Sequence, residues 1–100
     1  MLMPIRIVAT GRGSAPAVFC DYCEKQIMRA DDGNVEWRAL EVAETHFTHK
    51  QCSDGFRGTR PELTFFSTEL SLFPLRLAYA LKVDIDEAQA SLERLADSEA

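Results

Sequence analysis

Two short cysteine and histidine pairs constrain this chain more than anything else in it: Cys20-Asp21-Tyr22-Cys23 and, after 25 intervening residues, His49-Lys50-Gln51-Cys52. Thiols two residues apart fit a tight knuckle turn in which both sulfurs reach one ion while backbone amides point at them. If Thr48 caps a helix that begins at His49 and ends at Gly55 or Gly58, then His49 and Cys52 lie on its first turn and face the same way. Cys20, Cys23, His49 and Cys52 then make one complete tetrahedral set. Mixed thiolate and imidazole ligands suit zinc, so a single structural Zn2+ is the expected ion. His46 offers an alternative set, Cys20, Cys23, His46 and His49, which leaves Cys52 unused; the first set uses every cysteine and is preferred. The bland reading is three small buried thiols and two surface histidines, and the paired spacings weigh against it.

One hundred residues suffice for one compact domain, or a small subdomain against a tail, but not for two independent cores. The 46% hydrophobic and 27% charged content is that of a folded globular chain. No apolar run approaches the roughly 20 residues of a membrane span. The start, Met1 to Arg6, has no secretory core, so a cytoplasmic protein is expected, with no membrane partner. In that compartment three thiols are metal ligands rather than a disulfide framework. The front of the chain has Gly-bearing loops and few large apolar side chains, and burial alone would hardly exceed the ordering entropy. A structural zinc, at an apparent ~10–16 kcal/mol in finger peptides, would close that gap.

The pattern along the chain predicts three pieces. Residues 1–16 read as a strand around Ile5 to Ala9 running into a flexible loop broken by Gly11, Gly13 and Pro16. Residues 17–61 read as the metal-binding module, in which Asp31-Asp32-Gly33-Asn34 is a turn between strands and Val35 to Arg38, then Glu41 to Phe47, are extended. Residues 62–100 read as an acidic helical hairpin packed on it. In that tail Leu70, Phe73, Leu77 and Leu81 recur at helical spacing, and Leu72, Leu75 and Tyr79 form a second stripe. A helix apolar on two sides is expected to be the core of the tail or an oligomer contact. Pro74 fits if this helix starts near Ser71. Asp84 with Glu87 resembles a capping pair that opens a second helix, from about Ile85 to Ala96, with Ile85, Ala88, Leu92 and Leu95 apolar. The expected fold class is α+β: a small zinc-stabilised β-hairpin plus a short helix, followed by a C-terminal helical hairpin.

The CxxC knuckle, the spacer and the closing HxxC together resemble the first zinc site of LIM domains and, more broadly, treble-clef fingers, over about residues 17–58. The spacer is slightly longer than a typical LIM one. The second CxxC of a LIM domain is missing, so the resemblance is to a single-site finger with a helical tail. It implies a knuckle, a β-hairpin and a helix donating the last two ligands, and a docking scaffold for a protein or a nucleic acid.

Three functional classes compete. A closed four-ligand site has no vacancy for water, which favours a non-enzymatic interaction module with a protein partner or a second copy of itself. Nucleic-acid binding would use Arg12, Arg57 and Arg60 as a basic rim, with Tyr22, Trp37 or Phe47 for stacking. Against it, residues 1–61 hold eight Lys/Arg and eight Asp/Glu while residues 62–100 hold three and eight, so the whole net charge of −5 sits in the tail. A thiol-disulfide oxidoreductase is the third class: Val18 to Cys23 imitates its strand and CxxC order, and the rest of the chain does not. No HExxH occurs and no HxE precedes the CxxC, so no hydrolytic metal site is expected. Asp31 to Asn34 lacks calcium-loop spacing, and Gly11 with Gly13 lacks a dinucleotide fingerprint; neither is assigned a ligand.

Overall fold

Ile5–Thr10 (β1) and Gly13–Phe19 (β2) pair antiparallel from Ile5 opposite Val18 to Thr10 opposite Gly13, which leaves Gly11 and Arg12 as the turn. Gly13 sits at φ 128°, a conformation that only glycine adopts without strain. The expected loop at residues 13–16 is therefore strand. Pro16 is tolerated inside it because the next strand, Gln26–Ile27 (β3), pairs only with Val18 and Phe19 and leaves that side of β2 open. The computed structural model describes residues 4–39 and 43–99. Residues 1–3, 40–42 and 100 lie outside the described residues, and the extended reading at Glu41 falls among them.

A 3-10 turn at Ala30–Asp32 covers the first half of the expected Asp31–Asn34 turn, but Gly33 and Asn34 are extended and open Gly33–Arg38 (β4), the centre of a second antiparallel sheet. Thr45–His49 (β5) lies on one side of it and Phe65–Glu69 (β6) on the other. Alternation along β4 sends Gly33, Val35 and Trp37 to one face and Glu36 to the other. Val35 stands opposite Phe47, and both are buried. Around them Cys20, Ile27, Cys52 and Leu70 complete the core, with Val18, Cys23, Trp37 and Phe73 partly buried against it. Gly33 permits the closure, since a Cβ there would meet Ile27 Cγ2 and Leu70 Cδ2 at 3.0 Å. Three of the residues around this small core are cysteines, so the candidate ligands are part of the core itself.

A second 3-10 turn, Lys50–Cys52, leads into a short helix, Ser53–Gly58 (α1). Two expectations are corrected here. His49 ends β5 rather than opening a helix, and Thr48 caps nothing: it is a fully buried strand residue whose hydroxyl donates to Glu36. The third correction is β6. Residues 62–100 are expected to be a helical hairpin with no strand, yet residues 65–69 pair with β4, Phe66 opposite Trp37 and Thr68 opposite Val35. The boundary at 61/62 thus cuts through one sheet. Leu70, read as the first position of a helical stripe, follows β6 and is held in the core by its amide donating to the Gly33 carbonyl.

Two tail helices are present, Phe73–Ala80 (α2) and Ile85–Glu99 (α3), joined by a tight turn but with little packing of one on the other, so the expected packed hairpin is only partly realised. Pro74 falls in the first turn of α2, where its missing N–H costs nothing. At the other end the amides of Lys82 and Val83 donate to the carbonyls of Tyr79 and Ala78, a Schellman closure with Lys82 at φ 58° in the position usually held by glycine. Asp84 then caps α3 by accepting from the Glu87 amide at 3.0 Å. Packing on the rest of the chain is slight. Phe73 meets Phe47 edge-on at 6.0 Å, the Arg76 guanidinium lies 5.6 Å over Trp37, and no residue of α2 is buried. Of the two expectations for the two-striped helix, core of the tail or oligomer contact, the first is not met, since past Leu70 neither stripe is buried within the chain. Consistent with a projecting arm, the radius of gyration is 15.5 Å, against about 13 Å for a compact domain of this length.

Candidate metal centre

Four side chains from three elements meet at one point. Cys20 directly follows β2, Cys23 closes the turn after it, His49 ends β5 and Cys52 ends the 3-10 turn before α1. Their donor atoms all lie within 4.8 Å of one another. Ideal tetrahedral zinc with ~2.3 Å sulfur and ~2.0 Å nitrogen bonds would space them about 3.6–3.8 Å apart, so a small contraction would seat the ion.

The knuckle is built by its own backbone. Glu24, at φ 67°, turns the chain back so that its amide donates to the Cys20 carbonyl, and the Cys20 amide donates to Lys25. The turn aims the amides of Tyr22 and Cys23 at Cys20 Sγ, at 3.4 and 3.5 Å, and the His49 amide adds a third from β5 at 3.4 Å. Burial opposes ionisation of this thiol, but the amides and the His49 ring outweigh it and bring its pKa down to about 7. At Cys52 burial acts without such compensation, and the negative charge of Cys20 and Cys23 adds to it, pushing that thiol up to about 12. A cluster in which sulfurs raise one another's cost of ionisation, beside amides already aimed at one of them, is relieved by a cation.

His49 is oriented for the same purpose. Its Nε2 lies 3.2 Å from the Gln26 carbonyl, which can only accept, so the hydrogen sits on Nε2 and the Nδ1 lone pair points inward, 3.3 Å from Cys23 Sγ. His46 is placed elsewhere. Three residues apart on an extended strand, His46 and His49 project from opposite faces. His46 stacks on Phe56 at 5.1 Å and faces Phe65 at 6.5 Å, with Nδ1 3.6 Å from Asp21 Oδ2. Among the described residues the alternative set that used His46 is not assembled.

Two carboxylates that sequence reasoning did not single out hold the frame. Asp21 donates its amide to the Phe47 carbonyl and accepts the Phe47 amide on Oδ2, which clips the knuckle to β5. Glu36, with no exposed surface, accepts from Thr48 Oγ1 at 2.8 Å, Ser53 Oγ at 2.9 Å and Arg57 Nε at 2.6 Å. It thereby binds β4 to β5 and α1, the elements that carry His49 and Cys52. Tyr22 covers Gly55 on α1, where a Cβ would meet its ring at 2.7 Å. The only sequence signal for Glu36 was a charged residue amid the β-formers Val35 and Trp37.

The basic rim does not form as read. Arg57 is paired with Glu36, and Arg60 lies 4.8 Å over the Phe56 ring. Of the aromatic candidates, Phe47 is core, Trp37 is covered by Phe66 and Arg76, and Tyr22 remains half-exposed. A cleft of about 650 Å³ beside the knuckle mixes Arg6 and Arg60 with Asp21, Glu24, Glu44 and His46, a lining without a single sign of charge. No helix among the described residues is long and apolar enough to cross a membrane. No protein-family model, curated protein or solved structure matches this chain.

Proposed function

We propose that this chain is a non-enzymatic interaction module whose β-rich half is organised by one structural zinc, held by Cys20, Cys23, His49 and Cys52 in a treble-clef-like arrangement. The observation that carries the reading is the convergence of all three cysteines and one tautomerically fixed histidine within 4.8 Å, around a sulfur already aimed at by three backbone amides. Four protein ligands close the coordination sphere, so the ion supplies folding energy rather than Lewis acidity toward a substrate. The order knuckle, β4–β5 hairpin, short helix supports the treble-clef comparison. Three unpaired thiols suit a reducing, cytoplasmic setting.

A redox reading has one feature in its favour, the lowered Cys20 thiol in a CxxC. Against it, Cys20 is 2% exposed and its amide contacts hold it inside the cluster. Native mass spectrometry with elemental analysis separates the two. The module reading expects one zinc per chain, removed only by strong chelators; metal-free protein with a Cys20–Cys23 disulfide would replace it with the redox one.

A further inference from the structure

The α2–α3 arm carries the largest anomaly left by the metal-centre reading. Leu72, Leu75, Tyr79 and Leu81 are 53, 46, 71 and 68% exposed, and Ile85 and Leu92 on α3 are 37 and 67% exposed. Together these present on the order of 600 Å² of apolar surface, the upper end of what a monomer leaves in water. That is most of the ~800 Å² per partner that a standard interface buries. We propose that this surface is covered by the same arm of a second copy of the chain, in a two-fold symmetric four-helix bundle. The proposal goes beyond the metal-centre reading and does not depend on it.

The spacing specifies a helical occupant. Ile85, Ala88, Leu92 and Leu95 recur at intervals of three, four and three, the seam of a helix that packs lengthwise on another helix. Leu72, Leu75 and Tyr79 repeat the interval on the side of α2 away from Phe73, which is the residue facing the core. Phe73 packs on the core, but Leu77 on the same side is 48% exposed, so both sides of α2 leave apolar surface in water.

Charge placement favours a second copy over a basic foreign helix. Past Asp84, whose carboxylate is taken up in capping α3, the residues flanking the seam toward a partner are Gln89 and Ser91, both uncharged, whereas Asp86, Glu87, Glu93 and Arg94 sit on the outer side, where Glu87 and Arg94 pair at 3.1 Å. Two acidic α3 helices can therefore approach along this seam without like charges meeting, and a basic partner would find no acids lining it. The two helices also differ in sign. Residues 71–83 contain Arg76 and Lys82 and no acid, while residues 84–95 contain Asp84, Asp86, Glu87 and Glu93 against Arg94. Crossing α2 of one copy over α3 of the other therefore brings no like-charged pair together, because Arg76 already lies over Trp37 and the α3 acids face outward, and the same contact is made twice, as an isologous interface requires.

Sedimentation equilibrium of the full-length, zinc-loaded chain tests this, with metal content measured on the same samples. The expected mass is twice 11.2 kDa at tens of micromolar. Leu92→Glu and, separately, Leu75→Glu should each weaken the dimer at least 100-fold while leaving metal content and the near-UV spectrum of the β-rich half unchanged. Wild-type protein that stays monomeric at 100 µM overturns the proposal, as does a dimer that survives both substitutions. A monomer with one zinc would sink the bundle and leave the metal reading standing. A metal-free dimer sensitive to both variants would do the reverse.

Discussion

The β-rich half and the helical arm are held in opposite ways. In the first, residues distant in sequence are bound by polar contacts to a small core: the knuckle to β5 through Asp21, β4 to α1 through Glu36, and both to the four-ligand cluster. In the second, nearly every hydrogen bond is local. The Schellman closure, the Asp84 cap and the Glu87–Arg94 pair lie within the two helices and their joint, while Phe73 and Arg76 reach back to the sheet. Removing a long-range clamp should therefore affect the whole front cooperatively, whereas changes in the arm should stay in the arm.

On the zinc-module reading proposed above, metal removal should widen this contrast most. A strong chelator is expected to abolish the near-UV circular dichroism of Trp37 and Tyr22 while much of the far-UV helical signal of α2 and α3 persists. Cys52→Ala should do the same without chelator, because three ligands leave the zinc without its closed sphere and the ~10–16 kcal/mol it supplies to such folds is largely lost. Loss of both signals together would mean that the arm depends on the metal half; loss of neither would mean that the front folds on packing alone.

Next in size is Glu36→Ala. It strands the fully buried Thr48 hydroxyl and releases Ser53 and Arg57. Breaking a buried charged network from one side costs about 3–5 kcal/mol, and Arg57, being partly exposed, can recover water, so about 3 kcal/mol is expected from urea unfolding of the zinc-loaded protein. The pair Glu36→Leu with Arg57→Met should recover a good part of that loss. A cost under 1 kcal/mol for Glu36→Ala would show that the clamp is not a determinant of the front.

The cluster thiols set a pH dependence whose sign follows from their two opposite shifts. In the metal-free chain Cys20 titrates at about 7, below the ordinary 9.0, so its contribution is complete above pH 9 and is lost as pH falls through 7. Cys52 titrates at about 12, above 9.0, so it disfavours the folded state as pH rises from 9 to 12. Whatever folded front persists without metal should therefore be most populated near pH 9, rising from pH 7 and falling beyond. Because Cys52 is protonated in the apo form at pH 7.5, zinc binding must expel at least one proton. Calorimetry in two buffers of different ionisation enthalpy would measure it, and a proton count of zero would remove Cys52 from the ligand set.

How far the chain could be read from its sequence follows the same division. The four cluster residues were legible because ligand spacing is a local pattern with a chemical requirement behind it. Pro74 and Asp84 were legible too, since a first-turn proline and a cap act within one turn of helix. Phe65 to Glu69 was not, because a strand beside helix formers is decided by its partner β4, some 30 residues earlier. Thr48 was misread for a related reason: a threonine ahead of a helix looks like a cap until Glu36, twelve residues away, claims its hydroxyl. The exposure of the arm was hidden as well, since two apolar stripes look alike whether their partner is the same chain or another.

The smallest expected effect probes the arm alone. Lys82 closes α2 at φ 58°, a left-handed conformation that a residue with a Cβ adopts at a cost of about 1 kcal/mol and glycine adopts freely. Its side chain is exposed, so Lys82→Gly removes strain without removing packing. Glycine also gives the unfolded chain more freedom, which offsets part of the gain, and a net stabilisation of about 0.5 kcal/mol is expected. If the two regions respond independently, it should appear as slower amide exchange in α2 and α3 with no change in zinc affinity. A matching change in zinc affinity would instead mean that Phe73 and Arg76 couple the hairpin to the metal half more strongly than their two aromatic contacts suggest.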